Sequence, residues 1–419
     1  PLKNEEYDAY QMQEEDFEWL GYEIDEVKKC SENFDTYIEH AEKLIEMEKA
    51  YVCQCSQEEG QKYRKEGKPC PHRDQDSDEN MDLWGKMRNG GLDEGEAVLK
   101  INTDMQHKNP AVTDFVAFRI IEDPDHPVTG DKYRVWPMLD FQGAIEDHEM
   151  GTTHIFRGKG LRASAERQKY IYSYFDWEYP DVDHWGKIKI SGFNAPVSGS
   201  ELAEMVEKGE LDGWDDPRAP TLRALKRRGF QPEAIREFFI DMGVTENDIE
   251  ASIEDLEKAN TRVIDETSDR AFFVEESVKL EISNVPGDLK AEIPLHPEFP
   301  ERGVRKHDLN IENGKMEVYV EEKDLEDGFF RLKGLCNIEV ENGVAEFKEG
   351  DHKKALENDA EFIHWAPINS ERAEVKMPSG EVVEGLLEPT EIEVDEVVQF
   401  ERFGFARKDS EKVFYYAHN

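Results

Sequence analysis

Four side chains in two close pairs offer the clearest chemistry. Cys53 and Cys55 are followed by Cys70 and His72, a C-x-C…C-x-H arrangement with fourteen residues in the long gap. Zn2+ takes four thiolate or imidazole donors in a tetrahedron, and ligands one residue apart fit a tight knuckle. Pro69 and Pro71 stiffen the second pair. The plain alternative is a set of small buried cysteines beside a surface histidine.

A second group runs from His154 to Lys159, HIFRGK, at an apparent strand end, where open α/β sheets gather their ligands. A guanidinium such as that of Arg157 pairs with a carboxylate through two parallel hydrogen bonds, whereas an amide offers it a single acceptor. The third group is Gly213–Gly229, GWDDPRAPTLRALKRRG. Gly213–Arg218 reads as a compact turn, and Thr221 is a candidate N-cap for the next helix. That helix carries Arg223, Lys226, Arg227 and Arg228 and stops at Gly229. In an acidic chain, a local basic helix points to a polyanionic partner. No P-loop, G-x-S-x-G or paired-acid signature appears in the sequence.

These groups need elements to position them. Pro1–Ala50 reads as helices, with Tyr10, Phe17 and Leu20 on one apolar face and Tyr37, Ala41, Leu44, Ile45 and Met47 on another. Glu94–Asp104 and Pro110–Ile121 contain strand-like runs. Ser164–Phe175 reads as an amphipathic helix with Ser164 as its candidate cap. Val197–Glu201, VSGSE, reads as a loop. Leu222–Arg228, Pro232–Met242 and Asp248–Lys258 read as three helices. From Ala271 onward the pattern changes to period two, broken by turns such as Glu341-Asn342-Gly343 and Pro378-Ser379-Gly380, which indicates barrels or sandwiches. His364 is expected inside that β core.

The 419 residues allow two to four domains, and 52 basic against 96 acidic residues give a net charge of −44. The acids are spread over every segment, which reads as the solvated surface of a salt-adapted, halophilic protein. Such a surface still admits RNA on a local basic face, with little long-range attraction. Five cysteines, three of them clustered, argue for a reducing compartment and a cytoplasmic location rather than a disulfide framework. No apolar run approaches the ~20 residues of a membrane span, and no signal peptide, membrane or DNA partner is expected. A monomer is expected.

GWDDPR-x-PTLRAL-x-RRG, with Trp136–Lys159, His296–Arg305, Ile363–Trp365 and Phe400–Phe405, resembles the glutamyl- and glutaminyl-tRNA synthetases, most nearly the archaeal glutamyl enzymes. The resemblance implies a multidomain fold. A class I α/β Rossmann-type catalytic domain, N-terminally truncated, would occupy 1–50 and 135–205. An α+β acceptor-stem insertion would occupy 51–134, a helical bridge 206–270 and C-terminal all-β anticodon-binding barrels 271–419. It implies ATP-dependent activation of L-glutamate, with Mg2+, to glutamyl-adenylate, and transfer to tRNA(Glu), with tRNA(Gln) as a further candidate. Similar enzymes can carry a zinc knuckle where Cys53, Cys55, Cys70 and His72 stand.

The same resemblance places Arg157 where glutamyl enzymes have arginine and glutaminyl enzymes a neutral residue, so Arg157 is expected to read the glutamate side chain. Gly160 stands where an aspartate is common in the archaeal members. Lys187 and Ile188 fall on the strand that passes the adenine, where backbone groups would serve ATP. Ser198, Gly199, Ser200 and Glu201 match the KMSKS-type loop, with Glu201 in place of its lysine; Lys187 or Lys189 is a candidate substitute. Arg218, Arg223, Arg227, Arg228, Arg305 and Arg402 are candidate tRNA contacts, with Arg302, Lys306 and Arg407 beside them. In this family the HIGH-type motif precedes the point where the chain starts, so the chain is expected to be incomplete and inactive alone. The alternatives are a non-catalytic tRNA-binding module and a glutaminyl enzyme.

Overall fold

The computed structural model describes residues 7–419. It divides into two compact units, Pro1–Lys189 with Val244–Ile249, and Ile190–Gly243 with Glu250–Asn419.

In the first unit, helix α1 (Tyr7–Trp19) precedes α2 (Phe34–Glu46), strand β1 (Ala50–Cys53), α3 (Gln57–Glu66) and α4 (Ser77–Asn89). β2 (Val98–Ile101), β3 (Val116–Ile120) and β4 (Val135–Pro137) complete an antiparallel sheet in the order β1-β2-β3-β4. Then come α5 (Leu139–Glu149), β5 (His154–Gly158), α6 (Arg162–Tyr174) and β6 (Asp181–Trp185). β5 and β6 pair in parallel, with Arg157 opposite His184. A parallel pair needs a crossover, and α6 supplies it. One apolar core runs from Tyr37 and Leu44 of α2 through Trp84, Leu99 and Phe118 to Phe141 of α5 and Ile171 of α6.

α2 matches its expected pattern, burying Tyr37, Ala41, Leu44 and Ile45, although Met47, past its end, is exposed. α1 does not. The side chain of Tyr10 lies outside the described residues; Phe17 is 54% exposed and meets the ring of Tyr22 edge-on. The helix is rich in acids and glutamines, so its few apolar residues form no continuous stripe. α6 begins at Arg162, two residues ahead of its expected cap, and Ser164 is buried inside it.

The second unit opens with α7 (Gly199–Glu207), α8 (Leu222–Arg228), α9 (Pro232–Met242) and α10 (Ile253–Ile264). Thr221 caps α8, accepting from the Ala224 amide. α10 starts five residues later than its expected Asp248, behind a Ser252–Asp255 capping box. The β region follows as two large sheets. Seven strands drawn from 270–275 and 371–418 form one; eight strands within residues 277–367 form the other, while Ala291–Pro294 and Val304–His307 pair as a separate antiparallel two-stranded sheet. The alternation of a strand lets one segment serve both cores: Ala271 and Phe273 face the first, Phe272 the second. His364 is buried in this β region, as expected. Among the described residues no helix is long and apolar enough to cross a membrane.

Candidate active site and metal centre

β1 carries Cys53, and Cys55 lies just beyond it, before Ser56 closes a capping box with Glu59 and starts α3. Cys70 and His72 arrive on a short 3-10 turn, Pro71–Asp74. The donor atoms of Cys53, Cys55, Cys70 and His72 all lie within 4.8 Å of one another. Cys53 Sγ is 3.7 Å from Cys70 Sγ, and Cys55 Sγ is 3.4 Å from His72 Nδ1. Two sulfurs each about 2.3 Å from a tetrahedral Zn2+ stand about 3.8 Å apart. The set therefore fits zinc in donor type, number and spacing, and the cysteines are free thiols. The hydrogen bond shared with Cys53 pulls the Cys70 thiol down to about 4, while the same bond and burial push Cys53 up.

Behind the cluster, Asp114 ties the knuckle together. It accepts from the Tyr51 hydroxyl and the Thr103 amide, each at 2.9 Å, and pairs with Arg73, beside His72, at 3.4 Å. Burial raises its carboxyl, although these donors pull it down. Neither Tyr51 nor Asp114 was singled out by spacing. The signal that could have found Asp114 is an acid inside the apolar run AVTDFVAF.

Arg157 lies on β5 with its side chain 13% exposed. Its Nη1 donates to Gln168 Oε1 at 2.8 Å, and its Nη2 stands 3.6 Å from Asp147 Oδ2. The Tyr179 hydroxyl donates to the same Gln168 oxygen at 2.9 Å. Gly143 makes room for this amide, since a Cβ there would be 2.9 Å from Gln168 Nε2. Arg167 pairs with Asp140 and donates to the Ala111 carbonyl at 2.7 Å, fixing α6 against α5. The guanidinium is thus held largely by a neutral acceptor, and only Asp147 opposes its charge at close range. A Cβ at Gly160 would meet nothing within 4 Å, so packing does not impose glycine there.

The Lys187 backbone is not free to serve a nucleotide. Its amide donates to Asp248 at 2.7 Å and its carbonyl accepts from Ile249 at 2.8 Å. Asp248 also pairs with Lys159 at 2.9 Å. The segment around Asn247 approaches so closely that a Cβ at Gly186 would sit 2.0 Å from the Asn247 carbonyl. The Lys187 side chain and the half-buried Ile188 remain of that expected pair.

In the second unit, the expected loop is the start of a helix. Ser198 is the N-cap position of α7, and Gly199, Ser200 and Glu201 form its first turn, all exposed. A carboxylate in a first turn complements the helix dipole, which gives Glu201 a local role that a lysine would not fill.

Most of the expected tRNA arginines are held by the protein itself. Arg228 is 3% exposed and donates to the carbonyls of Tyr416 and Ala417. Arg305 is buried against Glu388, 2.7 Å from its Nε, over the ring of Phe272. These two are corrected to structural arginines, because a phosphate has no access to them. Arg227 pairs with Asp215 and Asp409 and lies on Tyr415. Arg218 is chelated by Asp216, and Arg402 by Asp324. Arg223 is half-buried, and Lys226 is the exposed cation of α8. The basic helix is therefore largely a clamp onto the strand Val413–His418 rather than a free cationic face.

The family description "tRNA synthetases class I (E and Q), catalytic domain" matches residues 2–266, and its "anti-codon binding domain" matches residues 268–359. The chain belongs to the class I tRNA synthetases of the glutamate and glutamine group. Several curated relatives that it matches over nearly its whole length are named glutamate–tRNA ligase. That of Thermococcus kodakarensis is 44% identical over 421 residues, covering 97% of this chain and 72% of the relative. That of Archaeoglobus fulgidus is 45% identical over 418 residues, covering 98% and 74%. That of Methanosarcina mazei is 44% identical over 433 residues, covering 100% and 74%. A solved glutamate tRNA ligase from Elizabethkingia meningosepticum aligns at 16% identity with a TM-score of 0.43, over 63% of this chain and 61% of that one.

Proposed function

We propose that this protein is a glutamate–tRNA ligase, forming glutamyl-adenylate from glutamate and ATP and passing the glutamyl group to a hydroxyl at the end of tRNA(Glu). Such chemistry needs no protein nucleophile; it needs alignment of the reactants and stabilisation of phosphate charge. ATP and Mg2+ are the expected partners of the family. The observation that carries the glutamate reading is Arg157, nearly buried and anchored by the neutral Gln168 amide. One edge of this guanidinium is held by a neutral amide, so only Asp147, 3.6 Å away, competes with a ligand carboxylate for its charge among the described residues. Zn2+ in the Cys53–Cys55–Cys70–His72 set would supply a structural cross-link between β1 and the Pro71–Asp74 turn.

One observation favours a second reading, a synthetase-like tRNA binder without adenylate chemistry. Ser198–Glu201 offers no cation to phosphate. The test is glutamylation of tRNA(Glu) and tRNA(Gln) in concentrated potassium salt by the product of the complete gene, with glutamate and glutamine compared and Glu201→Lys alongside. Charging of glutamate, with Glu201→Lys raising the rate of ATP–pyrophosphate exchange, supports the ligase. Binding of tRNA with neither amino acid charged, even in Glu201→Lys, establishes the binder.

A further inference from the structure

We infer that Tyr51 is the hydrogen-bond donor to the Cys70 sulfur in the zinc-loaded Cys53–Cys55–Cys70–His72 centre. The inference rests on the reading of that set as a zinc site.

β1 alternates between two surroundings. Ala50 and Val52 enter the main apolar core, whereas Tyr51 and Cys53 join Cys70 in a small cluster of their own. A strand places residues i and i+2 on one face, so Tyr51 shares its side of β1 with the first cysteine of the set. It is 1% exposed. A phenol buried this deeply needs partners for its hydroxyl. The Tyr51 oxygen has two. It accepts from the Cys70 thiol at 3.5 Å and donates to Asp114 Oδ2 at 2.9 Å. The other contacts of the three sulfurs stay within the set, Cys53 with Cys70 and Cys55 with His72. Among the described residues, Tyr51 is therefore the side chain outside the four ligands that reaches a ligand sulfur by a hydrogen bond.

Asp114 fixes the position of that hydroxyl. Its Oδ1 accepts from the Thr103 amide at 2.9 Å, and its Oδ2 stands 3.4 Å from Arg73 Nη1. Arg73 Nη2 donates to the Thr103 carbonyl at 2.7 Å, and Arg73 follows His72 on the 3-10 turn. The hydroxyl is thus tied to the turn that brings in Cys70 and His72, as well as to β1.

Cys70 changes character when it serves as a ligand. A cysteine bound to zinc is a thiolate, which accepts hydrogen bonds and donates none. The hydroxyl 3.5 Å away then has an anionic sulfur to donate to. A hydrogen bond to a charged group is stronger than one between neutral groups. Turning the hydrogen towards sulfur does not strand Asp114, which keeps the Thr103 amide and Arg73. Such a bond draws charge off the thiolate and fixes its orientation, which is how groups behind metal ligands commonly set affinity.

The test is Tyr51→Phe in the full chain, which removes one oxygen and keeps the ring. Zn2+ affinity is read by competition with a chromophoric chelator. Co2+ loading reports the thiolates through their charge-transfer absorption. That absorption moves to longer wavelength when a sulfur loses a hydrogen bond, because its lone pairs rise in energy. Tyr51→Phe is expected to shift the absorption to longer wavelength and to lose about 10- to 100-fold in Zn2+ affinity. Tyr63→Phe, at the other tyrosine packed against the cluster, is expected to leave both unchanged. An absorption that does not move in Tyr51→Phe overturns the inference even where affinity falls, since lost packing lowers affinity without touching the sulfur. The same shift in both variants overturns it too. A parent that binds neither Zn2+ nor Co2+ overturns the zinc reading itself, and this is seen before any variant is made.

Discussion

Replacing Gln168 by glutamate probes Arg157 without removing it. Gln168 is 2% exposed, and its Oε1 accepts from Arg157 at 2.8 Å and from Tyr179 at 2.9 Å. An amide and a carboxylate have nearly the same shape, so Gln168→Glu changes charge at constant packing. It sets an anion on one edge of the guanidinium. A ligand carboxylate on the same guanidinium would then lie about 6 Å from that anion, and at an effective dielectric constant of about 20 the repulsion is about 3 kcal/mol, on the order of 100-fold in affinity. A glutamine side chain carries no charge and escapes this term. The assay is the apparent KM for glutamate in ATP–pyrophosphate exchange, with direct calorimetric binding of glutamate and glutamine beside it. The account requires glutamate affinity to fall on the order of 100-fold while glutamine changes little. An unchanged glutamate affinity would refute the reasoning. An equal fall for both amino acids would show a collapsed pocket rather than a neutralised reader.

Two further predictions concern stability. Glu388 is fully buried and faces Arg305 at 2.7 Å and His307 at 2.6 Å, while accepting from the Phe272 amide at 2.8 Å. Removing it in Glu388→Ala leaves Arg305 buried without its partner, a change that typically costs about 3–5 kcal/mol. For a unit of this size that lowers the melting temperature by about 6–20 °C, measurable by calorimetry; a shift below 2 °C would contradict the assignment. His418 accepts from Asn260 at 2.9 Å through Nε2, and burial pushes its pKa down to about 4. The unfolded chain takes up this proton near the ordinary value of 6.5, the folded chain only near 4. Its contribution to stability is therefore complete above 6.5 and is lost as pH falls towards 4. The melting temperature of His418→Gln should fall less steeply than the parent's across that window.

Period and turn chemistry made the broad fold legible. The switch to period-two strands at Ala271, the cap at Thr221 and the apolar face of α2 follow from local sequence, and the structure has all three. What local sequence does not carry is the partner of a charge. Arg228 looks cationic in a run of arginines, yet its acceptors are carbonyls 188 and 189 residues away. Arg305 meets Glu401 at a separation of 96 residues. In a chain with 96 acids, a distant carboxylate for a given arginine is common, so basic clustering overstated the free cationic surface. α1 failed for a different reason: two or three apolar residues at helical spacing do not bury a helix when acids fill the gaps.

The candidate site divides in the same manner. The Cys53–Cys55–Cys70–His72 set was legible because ligand type and spacing are themselves local. The group around Arg157 was half legible: β5 and α6 follow from pattern, but Asp147 and Tyr179 converge on it only in three dimensions.

The central claim is that Arg157 selects the acid over the amide. It is tested most directly by measuring glutamate and glutamine binding to the parent and to Arg157→Met under the same conditions. The account predicts a strong preference for glutamate in the parent and none in Arg157→Met. A parent that does not distinguish the two, or an Arg157→Met variant that still prefers glutamate, would contradict it.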